Sequence, residues 1–142
     1  MTEPGTPGAP PADERPERRP EGANPYVAVV AAWLVPGLGH LLLRRRARGV
    51  LFFCLVLIAT AIGCKLLGNL SQVVPGQPLS FLATIGTMGM GLPYFILRYL
   101  LDYQGDVVAA GYEYGTAFLL TAGLMNLLLV LDAWDIALGK KE

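Results

Sequence analysis

Apolar residues fill three long stretches that contain no Asp, Glu, Lys or Arg: Gly22–Leu43, Leu66–Leu97 and Tyr114–Leu131. A fourth, Gly49–Cys64, is shorter and stops at Lys65, whose ammonium can snorkel outward. A helix needs roughly 20 apolar residues to cross a hydrocarbon layer of about 30 Å. The pattern therefore predicts four helices, over 26–43, 49–67, 79–101 and 115–138. Helices apolar on every side leave a soluble bundle nothing wettable, and no run alternates with the period of a β-barrel strand. The predicted fold class is all-α: a polytopic integral membrane protein, a bundle of four transmembrane helices over residues 26–139.

The breaks in this pattern are informative. Seven of the eleven prolines fall within residues 1–25, among Gly, Ala, Glu and Arg. Such a tail can neither propagate a helix nor bury a core and is expected to be disordered. Asn24-Pro25 makes a helix start, and Pro75-Gly76 marks a turn. Inside the first apolar stretch Pro36 removes a backbone donor, and Gly37 and Gly39 leave the exposed groups unshielded. The helix must bend there or be closely packed, and the sequence leaves open whether it spans fully or is re-entrant. In the third stretch Gly91 and Pro93 predict a kink.

Small residues mark where helices can touch in lipid. In the fourth helix Gly115, Ala122 and Leu129 recur every seven positions, and Leu119, Asn126 and Ala133 interleave with them, so Asn126 should face a neighbour. Ala83, Thr87 and Gly91 repeat the device in the third helix; Ala59–Gly63 and Thr60–Cys64 do so in the second.

Composition sharpens this picture. The 142 residues are 54% hydrophobic and 15% charged, against about 25% charged in soluble domains. The net charge is zero and aromatics do not interleave with basic residues, which argues against nucleic acid as a partner. Cys54 and Cys64 lie about 15 Å apart on one helix, beyond disulfide reach. With a single histidine in the chain, no metal cluster and no cofactor is expected.

The ionisable residues divide by position. Arg44, Arg45, Arg46 and Arg48 form a tight basic turn, too costly for a bilayer centre, and should anchor topology or grip lipid headgroups. His40, Lys65, Asp132 and Asp135 are the intramembrane polar candidates. Four crossings would put the ends of the second and fourth helices on one side, so Lys65 could pair with Asp132. The alternative has both Asp132 and Asp135 hydrated in the headgroup region beside Trp134. Arg98 and Asp102, four apart, suit a surface ion pair. His40 has no Ser, Cys or acid near it in sequence and is assigned to a packing or interfacial role. VPGLGHLLLRR and MGLPYFILRY share a Gly/Pro break, an apolar run and an arginine, but so few positions match that the echo reads as coincidence.

The stretch PGLGHLLLRRRARGVLFF resembles the signature of TM2-like membrane hairpins, with Pro36, Gly37, Gly39, His40, the basic turn and Gly49 matching in order. Leu42, Arg44 and Ala47 stand where that signature has Tyr, Gly and Gly. Residues 113–141, EYGTAFLLTAGLMNLLLVLDAWDIALGKK, resemble the end of an uncharacterised bacterial family of small four-helix membrane proteins. The resemblance implies architecture and a bacterial inner-membrane location, and no reaction. Basic residues split five against six between the two sides expected for four crossings. The compact arginine turn tips the expectation toward a cytoplasmic turn with both termini outside. Without a nucleophile–base pair or a metal cluster, the expected function is a non-enzymatic membrane module that binds lipid, other membrane proteins or a second copy of itself. The alternative is a small transporter or channel subunit using Asn126, Asp132 and Lys65.

Overall fold

The computed structural model describes residues 24–42 and 46–138. Most of the N-terminal tail, together with Arg44, Arg45 and the terminal lysines, lies outside the described residues. Within them the chain is helical, with no strand: α1 Pro25–Leu34, α2 Leu38–Leu42, α3 Arg46–Lys65, α4 Pro78–Met88, α5 Leu92–Phe95 and α6 Tyr112–Ala137, with α5 running into a π-helical turn, Ile96–Leu100.

Local chemistry sets these boundaries. The Asn24 side chain accepts from the Tyr26 amide at 3.1 Å and Pro25 occupies the first turn, where a missing N–H costs nothing. Val35 precedes a proline and is extended at φ −124°, ψ 114°, which ends α1. Gly37 then turns the chain at φ +79°. The break in the third stretch has the same device: Gly91, at φ +72°, sits between α4 and α5, and Pro93 begins the next helix. Helices α4 and α5 with its π turn meet at 111°.

Two helices, α3 and α6, are long and apolar enough to cross a membrane; a third crossing is counted only if the bent α4–α5 pair is taken as one span. This corrects the expectation of four spans. At 10 and 11 residues, α1 and α4 are each about 15 Å long, half the required length. Both breaks fold the chain back. A methyl group on Gly39 would lie 2.6 Å from the Ala32 Cβ and 3.1 Å from the Ala28 carbonyl, so α2 returns alongside α1. After the π turn, the Tyr103 hydroxyl reaches the carbonyls of Gly68 at 2.9 Å and Cys64 at 3.2 Å, so this arm also comes back to the end of the bundle from which α4 starts.

Helix α6 is the axis of the packing. Its buried line is Gly115, Leu119, Ala122, Gly123, Asn126, Leu129 and Ala133, the seam expected from the heptad spacing with Gly123 added. Helix α3 runs antiparallel to it, Gly63 against Leu119 and Gly68 against Gly115. Helix α1 is also antiparallel to α6: the Tyr26 and Trp134 rings meet edge to face at 5.6 Å near one end, and Trp33 reaches Asn126 near the middle of α6. Helix α4 runs parallel, with Gly86 against Gly123 and Gly89 against Leu127.

The basic turn, the start of α1 and the end of α6 consequently share one end of the bundle, called here the arginine end; Lys65 and the loops after α3 and α5 mark the loop end. This corrects the placement of the termini opposite the basic turn. The first hairpin enters from the arginine end and the second from the loop end. Gly37 and Gly91 each stand seven residues before an arginine, Arg44 and Arg98. The echo between the two motifs is thus a shared path: enter, turn at a left-handed glycine, return, then cross. The halves match in path and not in packing, because α1 and α4 both rest on α6.

Candidate functional site

The tips of the two hairpins meet at one amide. Asn126 is fully buried, and its Nδ2 donates to the Trp33 carbonyl at 3.1 Å and to the Gly89 carbonyl at 2.9 Å. Both acceptors belong to helix ends whose carbonyls have no intrahelical partner; four residues after Gly89 stands Pro93, which has no N–H to contribute. An unsatisfied carbonyl away from water costs several kcal/mol in an apolar medium, so Asn126 closes both ends at once. Asn126 Oδ1 is buried without a hydrogen-bond partner. The nearby hydroxyls of Thr60, Thr84 and Thr87 turn back onto carbonyls of their own helices.

The second polar cluster lies nearer the arginine end. His40, on the return arm α2, is fully buried, and its Nε2–H donates to Asp132 Oδ2 at 3.0 Å, while Asp132 is 34% exposed. The His40 ring stands edge-on to Phe52 at 5.7 Å, and its Nδ1 is buried without a hydrogen-bond partner. Packing alone is therefore not its whole environment. The acid lies 92 residues away in sequence, and only the fold-back of α2 brings the pair together.

Lys65 does not approach Asp132. Because α3 and α6 are antiparallel, Lys65 lies beside the Gly115 end of α6, about 25 Å along the helix from Asp132. The Arg98–Asp102 pair is not formed either: Asp102 has a left-handed φ of 44°, so the helical i,i+4 spacing is lost beyond the π turn. Among the described residues His40–Asp132 is the one contact of opposite charge type within 4 Å.

Of the remaining candidates, Pro36, Gly37, Gly39 and Gly91 are buried at the tips and Pro93 is half-buried. Asp135 is half-buried near the end of α6, and Arg46 and Arg48 are exposed at the start of α3. Arg44 and Arg45 lie outside the described residues. Cys54 and Cys64 are free thiols, and no group of three metal-ligating side chains occurs among the described residues.

Sequence reasoning missed Tyr103, in a loop given no role. Its hydroxyl ties that loop to the end of α3, and burial, reinforced by the Cys64 thiol, pushes the phenol up to about 12. It also missed the carbonyls that Asn126 serves, since backbone acceptors carry no residue signature. A groove of about 470 Å³ between α4 and α6 is lined by apolar side chains, among them Leu82, Ile85, Leu120, Leu124 and Leu127.

No curated protein and no solved structure matches the chain. A family model matches residues 27–142, covering every helix but the first two residues of α1, and by that match the chain belongs to DUF6677, a family of unknown function.

Proposed function

We propose that this is a non-enzymatic integral membrane protein of the bacterial inner membrane, working as a small transporter or channel subunit. The observation that carries the reading is the Asn126 junction, where two interrupted helices from opposite ends of the bundle stop head to head on one buried amide. Interrupted helices and inverted paths meeting near the midplane characterise many transporters. Irregular backbone at that depth is tolerated where protein or a water-filled cavity surrounds it.

The basic residues support an orientation. Arg15, Arg18, Arg19, Arg44, Arg45, Arg46, Arg48, Lys140 and Lys141 belong to the arginine end or adjoin it in sequence, and only Lys65 and Arg98 fall at the loop end. Nine against two favours a cytoplasmic arginine end with both termini inside. Of the TM2-like resemblance, this reading keeps the basic turn and the crossing helix after it; the arm before the turn folds back.

Purified protein reconstituted in liposomes should pass a small ion or polar solute, and Asn126→Leu should abolish that flux. Absence of flux across protons, alkali cations, chloride and small polar solutes by a folded, inserted protein would refute the reading. The apolar groove and the basic turn favour a second reading, a module that holds lipid or a partner membrane protein. That reading gains if no flux occurs while anionic lipid stays bound through delipidation.

A further inference from the structure

We propose that protons are the species this protein moves, passing between solvent at the arginine end and the bundle interior through Asp132 and His40; the proposal rests on the transport reading. The two ring nitrogens of His40 are in different surroundings. Nε2 is hydrogen-bonded at 3.0 Å to a carboxylate that is 34% exposed, whereas Nδ1 is buried in a residue with no solvent exposure and has no hydrogen-bond partner. An imidazole can accept a proton at one nitrogen while releasing one at the other. The ring thus connects a solvent-accessible acid to a buried acceptor position. Six residues deeper along the seam of α6, about 9 Å, Asn126 Oδ1 is a second buried acceptor without a partner, at the junction of the two hairpins. Chains of Asp, His and polar acceptors inside a membrane bundle are the material of proton relays.

The transfer balances. Nδ1 takes a proton from the interior side, giving an imidazolium paired with the Asp132 carboxylate. The Nε2–H bond breaks as that proton passes to Oδ2, and Asp132 releases it to water. The ring is left neutral with its proton on Nδ1, and a water-mediated tautomerisation, in which the Nδ1–H bond breaks as a new Nε2–H bond forms, restores the starting tautomer. Arg44 and Arg45 stand four and five residues after His40 in sequence. Helix α3 presents the Phe52 ring, with Arg46 and Arg48 exposed at its start, and α1 presents Ala28 and Ala32 beside Gly39. Helix α6 contributes Asp132, with Asp135 three positions on.

The test uses the full chain in liposomes loaded with a pH-sensitive dye, with a valinomycin–potassium potential as the driving force. Proton flux should appear, fall by about tenfold or more in both His40→Gln and Asp132→Asn, and persist in Cys54→Ser, at an exposed free thiol. Because His40 is the only histidine, isotope-labelled histidine gives an unambiguous NMR readout of its ring nitrogens. Their signals should show a ring exchanging between its two tautomers, and that exchange should be lost in Asp132→Asn. A ring locked in one tautomer in the unmodified protein overturns the relay even if a variant fails to fold. Rubidium, sodium or chloride flux without proton flux overturns it while leaving the transport reading intact. No flux of any species removes both.

Discussion

Gly91 backs directly onto the carbonyl of Trp33: a methyl group at Gly91 would lie 1.9 Å from that oxygen. The contact joins the tips of the two hairpins without any side chain from Gly91, and it coincides with a left-handed φ. Gly91→Ala should therefore cost about 3 kcal/mol or more, combining backbone strain with a clash against backbone that cannot yield. Gly76 supplies the control. It has φ +86° with open space around it, so Gly76→Ala should cost only about 1 kcal/mol. Thermal unfolding of both variants in one detergent tests the difference, and equal losses would show that the tips do not touch.

Asn126 should tolerate little. Asn126→Leu keeps the approximate volume but leaves two carbonyls without a donor, an expected loss of about 2–4 kcal/mol. Asn126→Asp, when ionised, replaces the donor with an acceptor facing two acceptors and should be worse at neutral pH than at acid pH. Unfolding midpoints measured at both values check the order.

A double-mutant cycle separates the two candidate partners of Asp132. For Lys65 and Asp132 the coupling should vanish within about 0.5 kcal/mol, as for distant sites. For His40 and Asp132 it should reach about 1 kcal/mol. The reverse result would mean that α3 and α6 are not antiparallel.

Tyr103 makes stability depend on alkaline pH. Its phenol titrates near 12 in the fold, against about 10 in an unfolded chain. The folded state thus holds its proton more tightly. The associated stability is fully present below about pH 10 and declines as the pH rises toward 12. Ultraviolet titration should show a late tyrosinate that Tyr103→Phe removes.

Orientation can be read with reporters. A C-terminal green fluorescent protein fusion should fluoresce and a C-terminal alkaline phosphatase fusion should be inactive. Phosphatase inserted in the loop at residues 68–77 should be active. An active C-terminal phosphatase would reverse the assignment.

Much of the helical content was legible from the sequence because apolar length and small-residue spacing are local signals. The α6 seam followed from heptad spacing alone, and Asn126 was placed facing a neighbour. Crossing and folding back were not separable, because Pro36-Gly37 and Gly91-Leu92-Pro93 are compatible with either a kink or a reversal. Only tertiary contacts, such as Gly39 on Ala28, decide between them. That one ambiguity propagated. With four crossings Lys65 belongs near Asp132, and with two hairpins folded back His40 does. Tyr103 was illegible for a different reason, since its acceptors are backbone carbonyls, of Cys64 in the last turn of α3 and of Gly68 just beyond it.

Synthesis runs from the N-terminus, so the donor that closes both hairpin tips leaves the ribosome after both acceptors. Trp33 and Gly89 must wait for residue 126 with their carbonyls uncapped, and neither short arm can settle as an independent insertion unit. Assembly of the interior thus waits on the arrival of α6. A nascent chain truncated before that residue should remain open to water-soluble reagents and vulnerable to membrane proteases.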